Sequence, residues 1–172
     1  MNERNKTLRL ALAGILCAVA VVGSTLSFPV LSSKCAPVQH MVNVVCAVLL
    51  GPGYGLGCAF AASLLRNLMG LGSLLAFPGS MCGALLCGLI YSKSKKLLPT
   101  LLAEVIGTGV IGGLLAYPIA VAFMGVVAGN VAFYAYIAPF LISTVAGSLL
   151  AGALILALQK NGGLNQIQNK LK

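Results

Sequence analysis

No charged residue occurs between Glu104 and Lys160. A stretch of that length without charge offers water no polar face, so it must pack against lipid or deep within protein. The rest of the chain has the same character: 59% of its 172 residues are hydrophobic, 8% are charged and the mean hydropathy is +1.03, beyond the range of soluble domains. The sequence therefore reads as a polytopic membrane protein. A spanning helix takes about 20 mostly apolar residues, fewer where neighbours bury it, and six segments qualify, near residues 8–27, 37–50, 53–69, 78–92, 97–121 and 131–159. The second, third and fourth are short, which predicts tight packing or helices that stop below the surface. A transmembrane β-barrel would alternate polar and apolar residues over segments of about ten. These runs are continuous and rich in Leu, Ala and Gly, so the predicted fold is an all-α membrane bundle of six helices.

The net charge of +9 would suit nucleic acid if the cations formed a face interleaved with aromatic residues, but they collect at segment ends instead. Arg4, Lys6 and Arg9 precede the first segment, Lys93, Lys95 and Lys96 follow the fourth, and Lys160, Lys170 and Lys172 follow the sixth. Under the positive-inside rule all three clusters are cytoplasmic. Six segments place four crossings and then two between the clusters, so count and charge agree, and both termini are expected in the cytoplasm. Lys34 alone falls in a predicted outer loop. "MNERNKTLR" before "LALAGILCAVAVVGS" also has the form of a secretory signal, but the apolar run is long for one, and its removal would put the two ends on opposite sides. The remaining pieces are too short for a soluble domain, so residues 1–172 are expected to form a single integral membrane domain.

Six cysteines, Cys17, Cys35, Cys46, Cys58, Cys82 and Cys87, show no C-x-x-C spacing and read as small packing residues. Cys35, in an outer loop, has no evident disulfide partner. No G-x-x-x-x-G-K-[ST] loop occurs, so any ATPase that drives transport must be another chain. His40 is the single histidine, with no acid or cysteine near it in sequence, which argues against a metal site and against catalysis. No cofactor is expected.

Charge at membrane depth costs about 3 kcal/mol on insertion scales, which makes an intramembrane ionisable group a candidate site. Arg66 in "SLLRNLMG" is such a group. At 100° per residue, Ser63, Arg66 and Asn67 share one arc of the third helix, and Gln39, His40 and Asn43 share one arc of the second. Both arcs fall within about 10 Å of the predicted outer surface, which predicts a shared polar pocket open to the outside. The bland reading has Arg66 satisfying loop carbonyls or snorkelling outward, and His40 as a satisfied structural histidine. Glu104, the only acid beyond the N-terminus, is expected nearer the cytoplasmic half, too deep to pair with Arg66, and either protonated or in contact with Lys95 or Lys96. A structural duty and a ligand or coupling role both remain open for it. Tyr117, Asn130, Tyr134 and Tyr136 lie toward the outer ends of the fifth and sixth segments, as an interfacial belt or as pocket walls. Gly14 and Ala18, Gly79 and Gly83, and Gly109 and Gly113 are each four apart, the spacing that lets helix backbones approach in lipid. For Gly14 and Ala18 an outward stripe that binds a partner helix is an equal alternative to internal packing.

The stretches "FPVLSSKCAPVQHMVNVVCAVLLGPGYG", "SLLRNLMGLGSLLAFPGSMCGALLCGLIY" and "AEVIGTGVIGGLLAYPIA" resemble the ThiW family, the proposed thiazole-specific S components of energy-coupling factor (ECF) transporters. The likeness runs over most of the chain, from about residue 8 to 158, and "PVQH", "LRN", "FPGSM" and "AEVIGTG" are specific in combination. The resemblance implies a six-helix subunit that captures a vitamin precursor, hydroxyethylthiazole, from the outside. It further implies association with a membrane coupling protein and two cytoplasmic ATPases. The small-residue face of the first helix would dock on the coupling protein; here Gly14 and Ala18 occupy that segment, with Gly where the family pattern has Ala. Residues 27–37 and 70–78 would close over the ligand. Gln39, His40, Asn43, Arg66 and Asn67 would supply polar contacts, and Phe77 and Tyr117 the stacking faces.

Two other classes compete. A stand-alone carrier, ion-coupled or facilitative, would use a mid-membrane acid, for which Glu104 is the only candidate. An intramembrane enzyme would need a paired nucleophile and base, and neither Cys82 nor His40 has one by local spacing.

Overall fold

The computed structural model describes residues 3–30 and 33–171. It contains seven helices: α1 (Glu3–Gly23), α2 (Pro37–Leu49), α3 (Pro52–Leu68), α4 (Ala76–Ser94), α5 (Leu97–Phe123), α6 (Ile137–Lys160) and α7 (Gly163–Lys170). A single 3-10 turn, Ser24–Leu26, ends α1, and a small antiparallel hairpin, β1 (Phe28–Val30) and β2 (Ser33–Cys35), follows it with Phe28 opposite Cys35. Three helical stretches, Glu3–Leu26, Leu97–Phe123 and Ile137–Lys160, are long and apolar enough to cross a membrane. The chain is thus almost entirely helical, with the apolar helices of a membrane protein.

Local chemistry sets the boundaries. Pro37 and Pro52 open α2 and α3, where a missing N–H costs nothing and the fixed φ suits the first turn. Between them Gly51 takes φ +88°, a conformation that side chains disfavour, and this lets α3 turn back directly on α2. Lys95, with φ +53°, ends α4 in a left-handed cap.

Helices approach closely where side chains vanish. A Cβ on Gly83 of α4 would overlap Thr108 Oγ1 of α5 and stand 2.6 Å from Glu104 Oε2. One on Gly112 would lie 2.7 Å from the Gly79 Cα. The α4 and α5 backbones are therefore in near contact, the arrangement that small residues permit in lipid. Gly147 does the same for α6, where a Cβ would meet the Pro37 carbonyl and lie 2.6 Å from the His40 Cβ. Gly109 and Gly113 pack against Leu141 and Ile137 of α6. Cys46, Cys58 and Ala62 join Ala20 and Val42 in the cluster under α1, and all six cysteines are free thiols.

Three features depart from the sequence reading. The middle of α5, Val105–Gly112, winds as a π-helix, a wider turn found often at functional positions. The sixth helix begins at Ile137 rather than near 131, because residues 132–137 form successive turns in which the Ala135 N–H donates to Ala132 O at 2.9 Å and the Ile137 N–H to Tyr134 O at 3.0 Å. The segment after Lys160, outside the six expected helices, forms α7: Leu164 and Leu171 are buried, Ile167 packs in the cluster that holds Leu171, and Gln168 Nε2 donates to Val48 O at 3.1 Å. Lys172, counted in the third basic cluster, lies outside the described residues.

Candidate ligand cavity

The first half of α2 carries Gln39, His40 and Asn43 at three- and four-residue spacing, and all three are buried in the bundle. They meet Ser63 and Arg66 from α3, Ser80 from α4, Glu104 and Thr108 from α5, and Ser143 and Thr144 from α6, every one of them buried. This junction is fastened by hydrogen bonds. Asn43 Nδ2 donates to Ser80 O at 3.0 Å and to Glu104 Oε1 at 3.0 Å, and Asn43 Oδ1 accepts from Gln39 Nε2 at 3.3 Å. His40 Nδ1 lies 3.1 Å from Glu104 Oε1. Thr108 Oγ1 reaches both Glu104 Oε1 and Gly79 O at 3.0 Å, and the hydroxyls of Ser63 and Ser80 meet at 2.9 Å.

Above this junction, toward the hairpin end of the bundle, lies a small open-mouthed cavity of about 40 Å³. Gln39, His40, Arg66, Ser80, Thr108, Phe140 and Ser143 form its walls, and Lys34 and Ala36 from the hairpin side, Gly72, Ser73 and Leu75 from the α3–α4 loop and Ala76 at the start of α4 bound its top. The two segments expected to close over a ligand thus both border the cavity, although Leu31 and Ser32 of the first lie outside the described residues. The loop is anchored from below: the Arg66 carbonyl accepts from the Leu71 and Gly72 N–H groups, and Asn67 Nδ2 donates to Ser63 O at 2.8 Å and Ser73 O at 3.0 Å.

Arg66 is 4% exposed. Its Nη1 donates to Gln39 Oε1 over a long 3.5 Å, and its Nε is buried without a partner. Among the described residues the ion-pair contacts are Lys6–Glu3 and His40–Glu104, so no carboxylate answers the guanidinium. Neither loop carbonyls nor outward snorkelling accounts for its position. A buried donor without an acceptor is costly, and the cavity beside it is where an acceptor can be placed.

Glu104 makes no ion pair with Arg66, as expected, but its other neighbours differ from the expected lysines. It is fully buried and contacts His40, Asn43 and Thr108 rather than Lys95 or Lys96; Lys95 Nζ instead sits 5.5 Å from the centre of the Tyr91 ring. Glu104 reaches the polar arc of α2 because that helix has only 13 residues, about 20 Å in length. Val48 near its far end packs with Leu97 and Leu101 at the start of α5, which brings Asn43 and Glu104 to one level.

Asn43 underpins the cavity without lining it, and Asn67 braces the loop. Phe77 faces Phe60 at 5.7 Å between ring centres, away from the walls, and Tyr117 packs in a cluster with Leu75, Ala116, Tyr136 and Phe140. The aromatic face at the cavity is Phe140, which sequence reasoning missed, along with Ser80, Thr108 and Ser143. Thr108, four residues after Glu104, carried a periodic signal; Phe140 carried none that set it apart from other apolar residues. Asn130 and Tyr134 are exposed. On α1, Gly14 and Ala18 are also exposed, and Gly14 borders a shallow apolar groove with Ala13, Gly53, Gly57 and Ala61 between α1 and α3.

Residues 10–161 match the family model described as "Thiamine-precursor transporter protein (ThiW)". No curated protein matches the chain.

Proposed function

The chain belongs to the ThiW family of thiamine-precursor transporters, and from that premise we propose that it is the substrate-capture S component of an ECF-type importer, binding hydroxyethylthiazole in the cavity beneath the hairpin. The observation that carries this reading is Arg66, buried at 4% exposure with an unpartnered Nε at the cavity wall. A small heteroaromatic alcohol asks for a donor to its ring nitrogen, a partner for its hydroxyl and a face for its ring. Arg66 supplies the first, His40, Ser80 and Ser143 the second, and Phe140 the third.

In this reading six crossings place both termini in the cytoplasm of a prokaryotic cell and the cavity toward the outside, with α2 to α4 short because they pack among their neighbours. The chain carries no nucleotide-binding loop, so a membrane coupling protein and two cytoplasmic ATPases supply the work and reorient the subunit until its cavity opens inward. The exposed Gly14, in the groove between α1 and α3, and the exposed Ala18 one turn further along α1 suit close docking of a partner helix.

A stand-alone carrier is the second reading, favoured by one observation: Glu104, a fully buried carboxyl one contact from the cavity. Substituting Arg66 tests the first. Arg66→Ala is expected to weaken hydroxyethylthiazole binding at least about tenfold, as for loss of a charged hydrogen bond, while calorimetry still finds a folded protein. Unchanged affinity with lowered thermal stability would make Arg66 structural.

A further inference from the structure

We propose that Glu104 is a positioning residue that fixes His40 as a hydrogen-bond acceptor toward the cavity, so that the site selects ligands carrying a donor, such as an alcohol. This rests on the capture reading of the same cavity. Donor and acceptor roles follow from the Ser80 carbonyl together with Glu104 as the carboxylate. A backbone carbonyl can only accept, so the Asn43 group 3.0 Å from it is the NH2. That same NH2 lies 3.0 Å from Glu104 Oε1 and donates to it. As a carboxylate oxygen, Oε1 only accepts, from Thr108 Oγ1 as well as from Asn43, so His40 Nδ1 at 3.1 Å carries the proton. A neutral imidazole carries one N–H, so Nε2 is left as a bare acceptor.

His40 Nε2 has no hydrogen-bond partner among the described residues, and His40 borders the cavity. The neighbouring charged wall is of opposite polarity: Arg66 and Lys34 only donate. The cavity thus presents donors from one side and an oriented acceptor from the other. A molecule with a ring acceptor and a hydroxyl donor satisfies both, whereas an ether in place of the alcohol leaves Nε2 unpaired. A site built around a substrate hydroxyl rejects analogues that lack it, because its own buried group is then stranded.

His40 is the only histidine, so ¹⁵N NMR of histidine-labelled protein reads its tautomer without a ligand. At pH 8 the wild type is expected to show the proton on Nδ1 and a bare Nε2. Glu104→Gln, whose amide can donate to Nδ1 as readily as accept from it, is expected to show both tautomers or the reverse one.

Titrations with hydroxyethylthiazole, its methyl ether and its ethyl analogue then read selectivity. The wild type is expected to favour the alcohol over the other two by about tenfold or more. Glu104→Gln, and independently His40→Asn, which keeps a donor to Glu104 but lacks Nε2, are expected to cut that preference to about twofold while the ethyl analogue binds nearly as before. A merely structural role would weaken all three ligands together, and that result overturns the proposal. So does a wild-type spectrum with the proton on Nε2, or a preference that survives both substitutions. Should the wild type bind none of the three while its spectrum still shows Nδ1–H, the thiazole reading fails and takes the selectivity claim with it.

Discussion

Asn43→Asp changes one group at the centre of the polar junction. The NH2 that donates to Ser80 O and Glu104 Oε1, both at 3.0 Å, becomes an oxygen that, when ionised, can only accept. A neutral hydrogen bond contributes about 1 kcal/mol net and one to a charged group about 1.5–3, so the two lost bonds amount to about 3 kcal/mol. Asn43→Ala also forfeits the bond that Oδ1 accepts from Gln39 Nε2 at 3.3 Å, so it should lose about 4 kcal/mol. Asn43→Asp keeps that bond but should lose more in total, about 5–6 kcal/mol at pH 8, because two acceptors now face a third in a buried site. Unfolding of purified protein by titration with SDS at pH 8, with Asn43→Ala measured alongside, reads the difference. If Asn43→Asp is no less stable than Asn43→Ala, the donor assignment of Asn43 is wrong.

Phe140→Ala should weaken hydroxyethylthiazole binding by about tenfold, the loss of a stacking face and its buried area, whereas Phe77→Leu should leave affinity within about twofold because Phe77 packs on Phe60 away from the cavity; paired titrations check the contrast. Uptake of labelled hydroxyethylthiazole by cells expressing the chain should fall to background when the ATPases of the coupling module are inactivated, and uptake that persists would select the stand-alone carrier.

The helices were legible because their apolar runs are long and Pro, Gly and Lys punctuate them, and the α2 and α3 polar arcs were legible because helical periodicity places Gln39, His40 and Asn43, or Ser63 and Arg66, on one face. What periodicity cannot show is how helices of different length align in depth. Glu104 was expected beside Lys95 or Lys96, whereas the 13-residue α2 and the start of α5 share one level and bring it to His40 and Asn43. The aromatic wall failed for a related reason. Phe77, Tyr117 and Phe140 all sit near helix ends with similar flanks, and which one faces the cavity depends on Gly79, whose missing side chain leaves room for the Phe140 ring: a Cβ there would lie 2.8 Å from Cε2. The helix α7 was hidden by composition, since "GLNQIQNK" is polar overall and its register depends on the Leu164, Ile167 and Leu171 contacts with the bundle.

Calorimetric titration of the purified, detergent-solubilised protein with hydroxyethylthiazole, with thiamine and the hydroxymethylpyrimidine precursor as comparators, tests the central claim most directly. The account predicts saturable 1:1 binding of the thiazole with at least about tenfold preference over both comparators. No heat with the thiazole from folded protein, or tighter binding of the pyrimidine, would contradict it.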